Sequence, residues 1–290
     1  MWQIKHSRNR IRSLVTLILL LPAAAPAGEP DVDVIIRRSV EANQADWKAA
    51  PEYSYYERER EENGDTKTYA VLMILASPYW RQVLVNGKPL PFKEEKKEQQ
   101  KLEEAIARRC RESAHDRQER IAQYEKDRKR DQLLMEQLTN AFDFKLLGQQ
   151  KKGSCDTYVL EAMPRPGYQP VNTETEVLTG MQGKLWIDKK SFQWVRVEAQ
   201  VVRPVTIEGF LARVEPGTRF ELEKMPVEDR VWLPKRFSMQ SRARILFLFT
   251  YGTQEEETYF NYRKVRPLQT GAGLEEQVAA AKHFLTTDLP

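Results

Sequence analysis

Histidine is scarce in this chain, with three in 290 residues, and cysteine is scarcer, with two. Beyond the N-terminal segment only His115 and His283 remain, and neither has a metal-ligating partner at zinc-site spacing. The signatures of common catalytic machinery are missing as well. There is no G-x-S-x-G elbow, no H-E-x-x-H, no Walker loop and no G-x-G-x-x-G. Gly271 and Gly273 precede a helical pattern, but no strand with a fitting glycine spacing stands before them. A carboxylate-only glycosidase would need no such signature, yet acid pairs such as Glu255 and Glu257 read as hairpin surface. These absences point away from an enzyme, and they call for no metal and no organic cofactor.

Long apolar runs are also lacking. The one candidate, Leu14 to Leu21, is interrupted by Thr16 and bounded by Pro22, and a membrane-crossing helix needs about 20 apolar residues. Lys5, Arg8, Arg10 and Arg12 precede it, and Ala25-Pro26-Ala27 follows as an A-x-A pattern. Residues 1–27 therefore read as a Sec-type signal peptide cut after Ala27, which places the mature chain in the periplasm. No cysteine stands at the cut to carry a lipid, and no later segment reads as a transmembrane helix.

An excess of one charge is absent once that leader is set aside. The chain holds 46 Lys+Arg and 42 Asp+Glu. The leader takes four bases and no acid, leaving a balanced remainder that gives no reason to propose a nucleic-acid partner. Cys110 and Cys155 both fall in the exported part, where disulfides persist. They could pair, or stand as free thiols in a half-buried helix and a turn.

What the chain does contain is strand pattern, interrupted once. Asp31 to Lys48 reads as an amphipathic helix through Val32, Ile35, Ile36, Val40 and Trp47, with Pro51 after its end. Strands are expected over Tyr53 to Arg60, Lys67 to Leu75 and Tyr79 to Val85. Between Lys93 and Asp131, 24 of 39 residues are charged, with no Gly or Pro and with opposite charges at helical spacing, as in Glu104 and Arg108. The spacing predicts helix over 92–140. A straight helix of that length would span about 70 Å, so it must project or fold back, with Ser113 to Asp116 as the place. From Phe142 the pattern is β again: a short strand near Phe144 to Leu147, Thr157 to Met163, a long polar loop to Gly180, then strands at Lys184 to Asp188, Trp194 to Val202, Phe210 to Arg213, Arg219 to Glu223, Val231 to Met239, Ala243 to Tyr251 and Glu256 to Val265. Successive hairpins imply an antiparallel meander. A short helix over Leu274 to Leu285 closes the chain.

Two runs, Ala70 to Ala76 and Ile245 to Phe249, are apolar on both faces and predict a sheet covered on both sides there. The segment Gly183 to Val202 reads as a hairpin: Leu185, Trp186 and Ile187 end at Asp188, and Val195, Val197, Ala199 and Val201 share one face of the returning strand. Alternation of this kind selects Val71, Met73, Leu185, Ile187, Val195, Val197, Phe247 and Phe249 as candidates to line an apolar ligand cavity.

The stretch GKLWID from Gly183 to Asp188, followed by the alternating strand, resembles the outer-membrane lipoprotein carrier and sorting proteins (LolA/LolB-like), in an exported bacterial branch. The strand Cys155 to Glu161 before Pro164, Val231 to Phe237, and Tyr259 to Lys264 are similar to further strands of that family. The resemblance covers about Asp31 to Pro267. It implies an α+β fold, mainly antiparallel: a half-open β-barrel spanning 28–267, with an N-terminal helix, the long charged helical insertion 92–140, and a tail at 268–290. It also implies a periplasmic carrier that holds a lipid or lipoprotein acyl chain in an apolar cavity without covalent chemistry. The alternative is an envelope sensing or structural module of the same fold that meets a protein partner through the charged helix, which is longer than such a lid usually is.

Overall fold

The computed structural model describes residues 31–207, 212–228, 230–245, 249–265 and 273–287. The leader expected over 1–27 lies outside them. Among the described residues no helix is long and apolar enough to cross a membrane.

Helix α1 (Val32–Ala49) is capped by Asp31, whose side chain accepts from the Asp33 amide at 3.3 Å, and Pro51 follows in a 3₁₀ turn that ends it. Strands β1 (Tyr53–Arg60), β2 (Thr66–Ile74), β3 (Ser77–Val85) and β4 (Lys88–Pro89) form a meander. The charged insertion breaks where expected, into α2 (Phe92–Arg111) and α3 (Ala114–Ala141), but the two helices pack on opposite faces of the sheet and do not form a hairpin of paired arms. Ser113 makes the break, its hydroxyl accepting from the Asp116 amide at 3.2 Å.

The second half supplies β5 (Phe142–Lys152), β6 (Cys155–Pro164), β7 (Met181–Asp188), β8 (Trp194–Val201), the short β9 (Val205–Ile207) and β10 (Ala212–Val214), β11 (Arg219–Glu228), β12 (Val231–Ile245), β13 (Phe249–Lys264) and α4 (Gly273–Thr287). The strands join in one antiparallel sheet in the order β4-β3-β2-β1-β13-β12-β11-β8-β7-β6-β5, with β10 on β12 and β9 on β10. Its ends do not meet, so the sheet is a half-open barrel. Register shifts in several of its pairs add local bend and twist.

Helices cover both faces. On one, Ala70, Leu72 and Ile74 of β2 pack with Leu102 and Ile106 of α2 and with Phe284 of α4. Tyr56 stacks between Phe260 at 5.8 Å and Phe284 at 4.7 Å. On the other face Val71 and Met73 are buried too, beside Tyr55, which pairs with Val71. Arg120 of α3 reaches the β2–β3 turn there, donating to the Leu75 carbonyl at 3.1 Å. The apolar run of β2 is thus covered on both sides, as its composition predicts.

The run Ile245 to Phe249 behaves differently. Ile245 pairs with Phe249, so the expected strand Ala243 to Tyr251 is divided between the two arms of the β12–β13 hairpin. An apolar run carries no mark of where a chain reverses, and the long pairing of the two arms decides it. The stretch before Gly180, expected as loop, holds a 3₁₀ helix (Thr173–Gly180) closed by a capping box between Asn172 and Thr175. β5 is longer than its apolar residues suggest because its polar end, Gln149 to Lys152, pairs with β6. Cys110 and Cys155 are both free: Cys110 packs from α2 toward β2, whereas Cys155 opens β6 at the other end of the sheet order.

One buried polar contact ties α1 to the sheet. Ser39, Asn43 and Asp46 are buried along one stripe of the helix. Lys224 Nζ of β11 donates to Asp46 Oδ2 at 2.5 Å and to Asn43 Oδ1 at 2.7 Å. Asp46 Oδ1 also accepts from the Trp232 amide at 2.9 Å and from Gln193 Nε2 at 3.0 Å. Burial pushes the Asp46 carboxyl up and the Lys224 ammonium down from their ordinary values, each opposed by the other's charge. Removing one partner leaves a buried charge alone, so Lys224→Met should cost about 3–5 kcal/mol in a denaturant titration. Adding Asp46→Asn should restore part of it, because the neutral amide keeps an acceptor for Trp232.

Candidate functional site

The concave face of the sheet holds a cavity of about 490 Å³ that is partly open to solvent. Its roof is the last turns of α3, where Leu134, Met135 and Leu138 point down at i, i+1 and i+4. Val177 and Leu178 of the 3₁₀ helix form one wall. The floor is laid by Phe144 of β5, Ala162 of β6, Leu185 of β7, Val197, Ala199 and Val201 of β8, Phe220 and Leu222 of β11, and Phe237 and Met239 of β12. Gln182, Glu198 and Thr218 are its polar lining residues, and Trp194 closes one end. Gly183 lies in the floor where β7 and β8 come close: a Cβ there would sit 2.6 Å from the Glu198 carbonyl oxygen, so only glycine fits.

Of the residues chosen from sequence, Leu185 and Val197 line this cavity. Ile187 is fully buried in the same apolar core, outside the lining. Val195 is half-buried and does not line it. In the register Trp186 pairs with Arg196 and Ile187 with Trp194, so Val195 is an extra residue and Trp194 takes the inward position in its place. Val71 and Met73 are buried on β2, away from the cavity. Phe249 opens β13, and Phe247 lies outside the described residues. The alternation of Val197, Ala199 and Val201 holds in full. Phe220 with Leu222 and Phe237 with Met239 carry the same two-residue signal, and Leu134 with Leu138 the four-residue one.

Beyond the floor, the same face turns acidic. Phe237 pairs with Glu257 and Met239 with Glu255 across to β13, and Glu257 pairs with Glu59 of β1. Tyr259, opposite Glu57, donates its hydroxyl to Glu257. Trp80 hydrogen-bonds to Glu57. Burial, and then the charges of Glu257 and Glu59, push the Glu57 carboxyl up to about 7. Burial likewise raises Glu59 and, well above their ordinary range, the hydroxyls of Tyr55, Tyr259 and Tyr262. Among the described residues no group of three His, Cys, Asp or Glu side chains could hold a metal ion. His115 is exposed on α3, 3.3 Å from Glu119.

No family model matches the chain, and neither does any curated protein. Three solved structures are similar across most of its length. A DUF1329 family protein from Desulfovibrio piger is 12% identical, with 82% of this chain and 95% of that one covered, at a TM-score of 0.29. A domain described as an outer membrane lipoprotein-sorting protein domain, from Vibrio parahaemolyticus, is 12% identical over 84% and 98%, at 0.30. A LolA superfamily protein from Nitrosomonas europaea is 11% identical over 82% and 94%, at 0.29.

The carboxyl of Glu57 predicts a pH dependence. Its folded value, about 7, lies above the ordinary 4.5, so the fold favours the protonated form. Its contribution to stability is complete below about 4.5 and is lost as pH rises through 7. The melting temperature should therefore fall between pH 5 and pH 8, and Glu57→Gln should flatten that fall and raise stability at pH 8. An unchanged pH profile in the variant would contradict this assignment.

Proposed function

We propose that the chain is a periplasmic carrier or binding protein that holds a lipid or acyl chain by burial and releases it without covalent chemistry. The observation that carries this reading is the cavity: about 490 Å³, roofed by a helix, floored by alternating strand residues and almost wholly apolar in its lining. That volume falls among those of small-molecule sites, about 300–1,000 Å³. Transfer of an acyl chain into it gains about 0.8 kcal/mol per methylene, enough to hold the chain with no polar contact.

Reversibility then depends on the roof. Three lining side chains, Leu134, Met135 and Leu138, belong to α3, the second helix of the charged insertion. Lifting that helix opens the cavity further while leaving the sheet paired. Of the two readings the sequence left open, an apolar space of this size supports the carrier. A sensing module would need no such space and would be served as well by side chains filling the concave face.

The test is native mass spectrometry and lipid extraction of the protein purified from its own periplasm, together with titration of a fluorescent fatty acid. A co-purifying lipid and saturable binding are expected. Val197→Trp, which fills the floor, should weaken binding by more than tenfold while the fold is retained. Reproducible absence of lipid combined with no fatty-acid binding would sink the carrier reading.

A further inference from the structure

One end of the sheet collects positive charge. The β5–β6 turn carries Lys151 and Lys152, and the β7–β8 turn carries Lys189 and Lys190. The two turns are tied together, since Thr157 pairs with Asp188 and the Lys189 amide donates to the Asp156 carbonyl at 2.9 Å. Arg38 of α1 reaches the same place, its guanidinium 3.7 Å from the centre of the Phe192 ring. Arg230 brings the β11–β12 turn beside it, its carbonyl accepting from Gln193 Nε2 at 3.4 Å. Lys151, Lys190, Arg38 and Arg230 are exposed, and Lys152 and Lys189 are half-buried. Among the described residues none of these six makes an ion pair.

The carboxylates of these two turns do little to offset them. Asp188 is buried and folded onto its own loop, accepting from the Lys190 and Ser191 amides at 3.1 and 2.8 Å. Asp156, opposite Lys151 in the β5–β6 pairing, is the exposed one. Two of the ammoniums rest on aromatic faces: Lys152 Nζ lies 5.4 Å from the centre of the Trp186 ring, and Lys189 Nζ 5.4 Å from that of Tyr158. Such seating fixes where the charge stands and lowers the entropy lost when it meets a partner. Trp194 opens β8 directly after the second turn, so the patch lies beyond the end of the cavity that Trp194 closes. A partner seated on the patch leaves the cavity free.

We infer that this end of the sheet is a membrane-docking surface: its cations bind an anionic phospholipid surface electrostatically and hold the protein at a bilayer without inserting into it. Composition favours a membrane over an acidic protein. Four of the six cations are lysines, and lysine is depleted from protein–protein interfaces, where tryptophan, tyrosine and arginine supply the anchors. The rings here, Trp186, Tyr158 and Phe192, are buried beneath the cations and present no anchor to a partner. A bilayer surface needs only accessible charge, each Lys or Arg near it strengthening binding about fivefold. The docking surface is an addition to the carrier reading and does not depend on it.

The test is co-sedimentation of protein recovered from the periplasm, its N-terminus checked by mass so that no basic leader contributes. The probes are vesicles of an equal mixture of phosphatidylglycerol and phosphatidylcholine, and vesicles of phosphatidylcholine alone. Binding is expected to the mixed vesicles and not to the neutral ones at about 0.05 M salt, and most of it should be lost at about 0.5 M, where the charges are screened. Lys151→Gln combined with Lys190→Gln, both at exposed turn positions, should weaken binding about 25-fold. Arg219→Gln, at an exposed position where β11 begins at the other end of the sheet, should leave it unchanged. No binding to the mixed vesicles at low salt, equal binding to the neutral ones, or an affinity unmoved in the double variant would each overturn the inference. Capture of soluble polyglutamate in place of the vesicles, lost in the double variant, would assign the patch to an acidic protein and overturn it as well. Fatty-acid titration of the same samples separates the two readings. Retained fatty-acid binding without vesicle binding sinks the docking surface alone, and vesicle binding without fatty-acid binding sinks the carrier alone.

Discussion

The buried pairing of Asp46 with Lys224 is the contact on which the covered face of the sheet depends. It is made at one end of α1, and it brings a helix carboxylate, a strand ammonium, the Asn43 amide, the Gln193 amide and the Trp232 backbone N–H to one point. Such a cluster contributes little net stability compared with apolar packing of the same volume. What it does is fix a single seat for the helix, because any other register leaves charge unpaired in low dielectric. From that seat the constraint passes to α3. Arg128 of α3 lies over the Trp47 ring at 4.1 Å and donates to the Trp47 carbonyl. The roof of the cavity is therefore held, through α1, by an ion pair beneath it.

The two faces of the sheet are organised by different physics. The outer face carries ladders of charge. Arg196 meets Glu198, Glu221 and Glu223, and Arg236 meets Glu221 and Glu256. These half-exposed pairs are individually weak, but they keep the outer face polar over β8, β11, β12 and β13, where no helix covers it, whereas over β1 and β2 that face is apolar beneath α2 and α4. The inner face is apolar from β5 to β12, then becomes acidic over β13 and β1. That gradient follows from register alone, since Phe237 and Met239 stand opposite Glu257 and Glu255. A carboxyl beside an apolar floor loses solvation, which is why Glu57 and Glu59 are displaced upward.

Much of this was legible in the residues because period reports burial. The strand alternation of Val197, Ala199 and Val201 marked the floor, and the mixed charges of 93–131 marked a solvated helical arm with a break near Ser113. The doubly apolar run of β2 marked a strand covered on both sides. Other features were not legible, for stated reasons. The bulge that exchanges Val195 for Trp194 follows from pairing with β7 and leaves no trace in the alternation. The hairpin that divides Ile245 from Phe249 is set by a partner strand many residues away. The 3₁₀ helix before Gly180 contributes two wall residues from a stretch whose composition reads as loop.

By itself, then, the sequence determined most of the segments that form strands and helices, which faces of most of them shun water, and that no common catalytic or metal-binding signature is present. These are local properties, set by the spacing of side chains along a few turns or a few pleats. Only the tertiary structure decided that Leu102 and Ile106 of the charged arm cover one face of the sheet while Leu134 and Leu138 roof the other. It also decided that Trp194, and not Val195, borders the resulting space. Both depend on how an eleven-strand path curls and on where bulges reset its phase, and those are non-local matters of pairing and closure that no window of the chain contains.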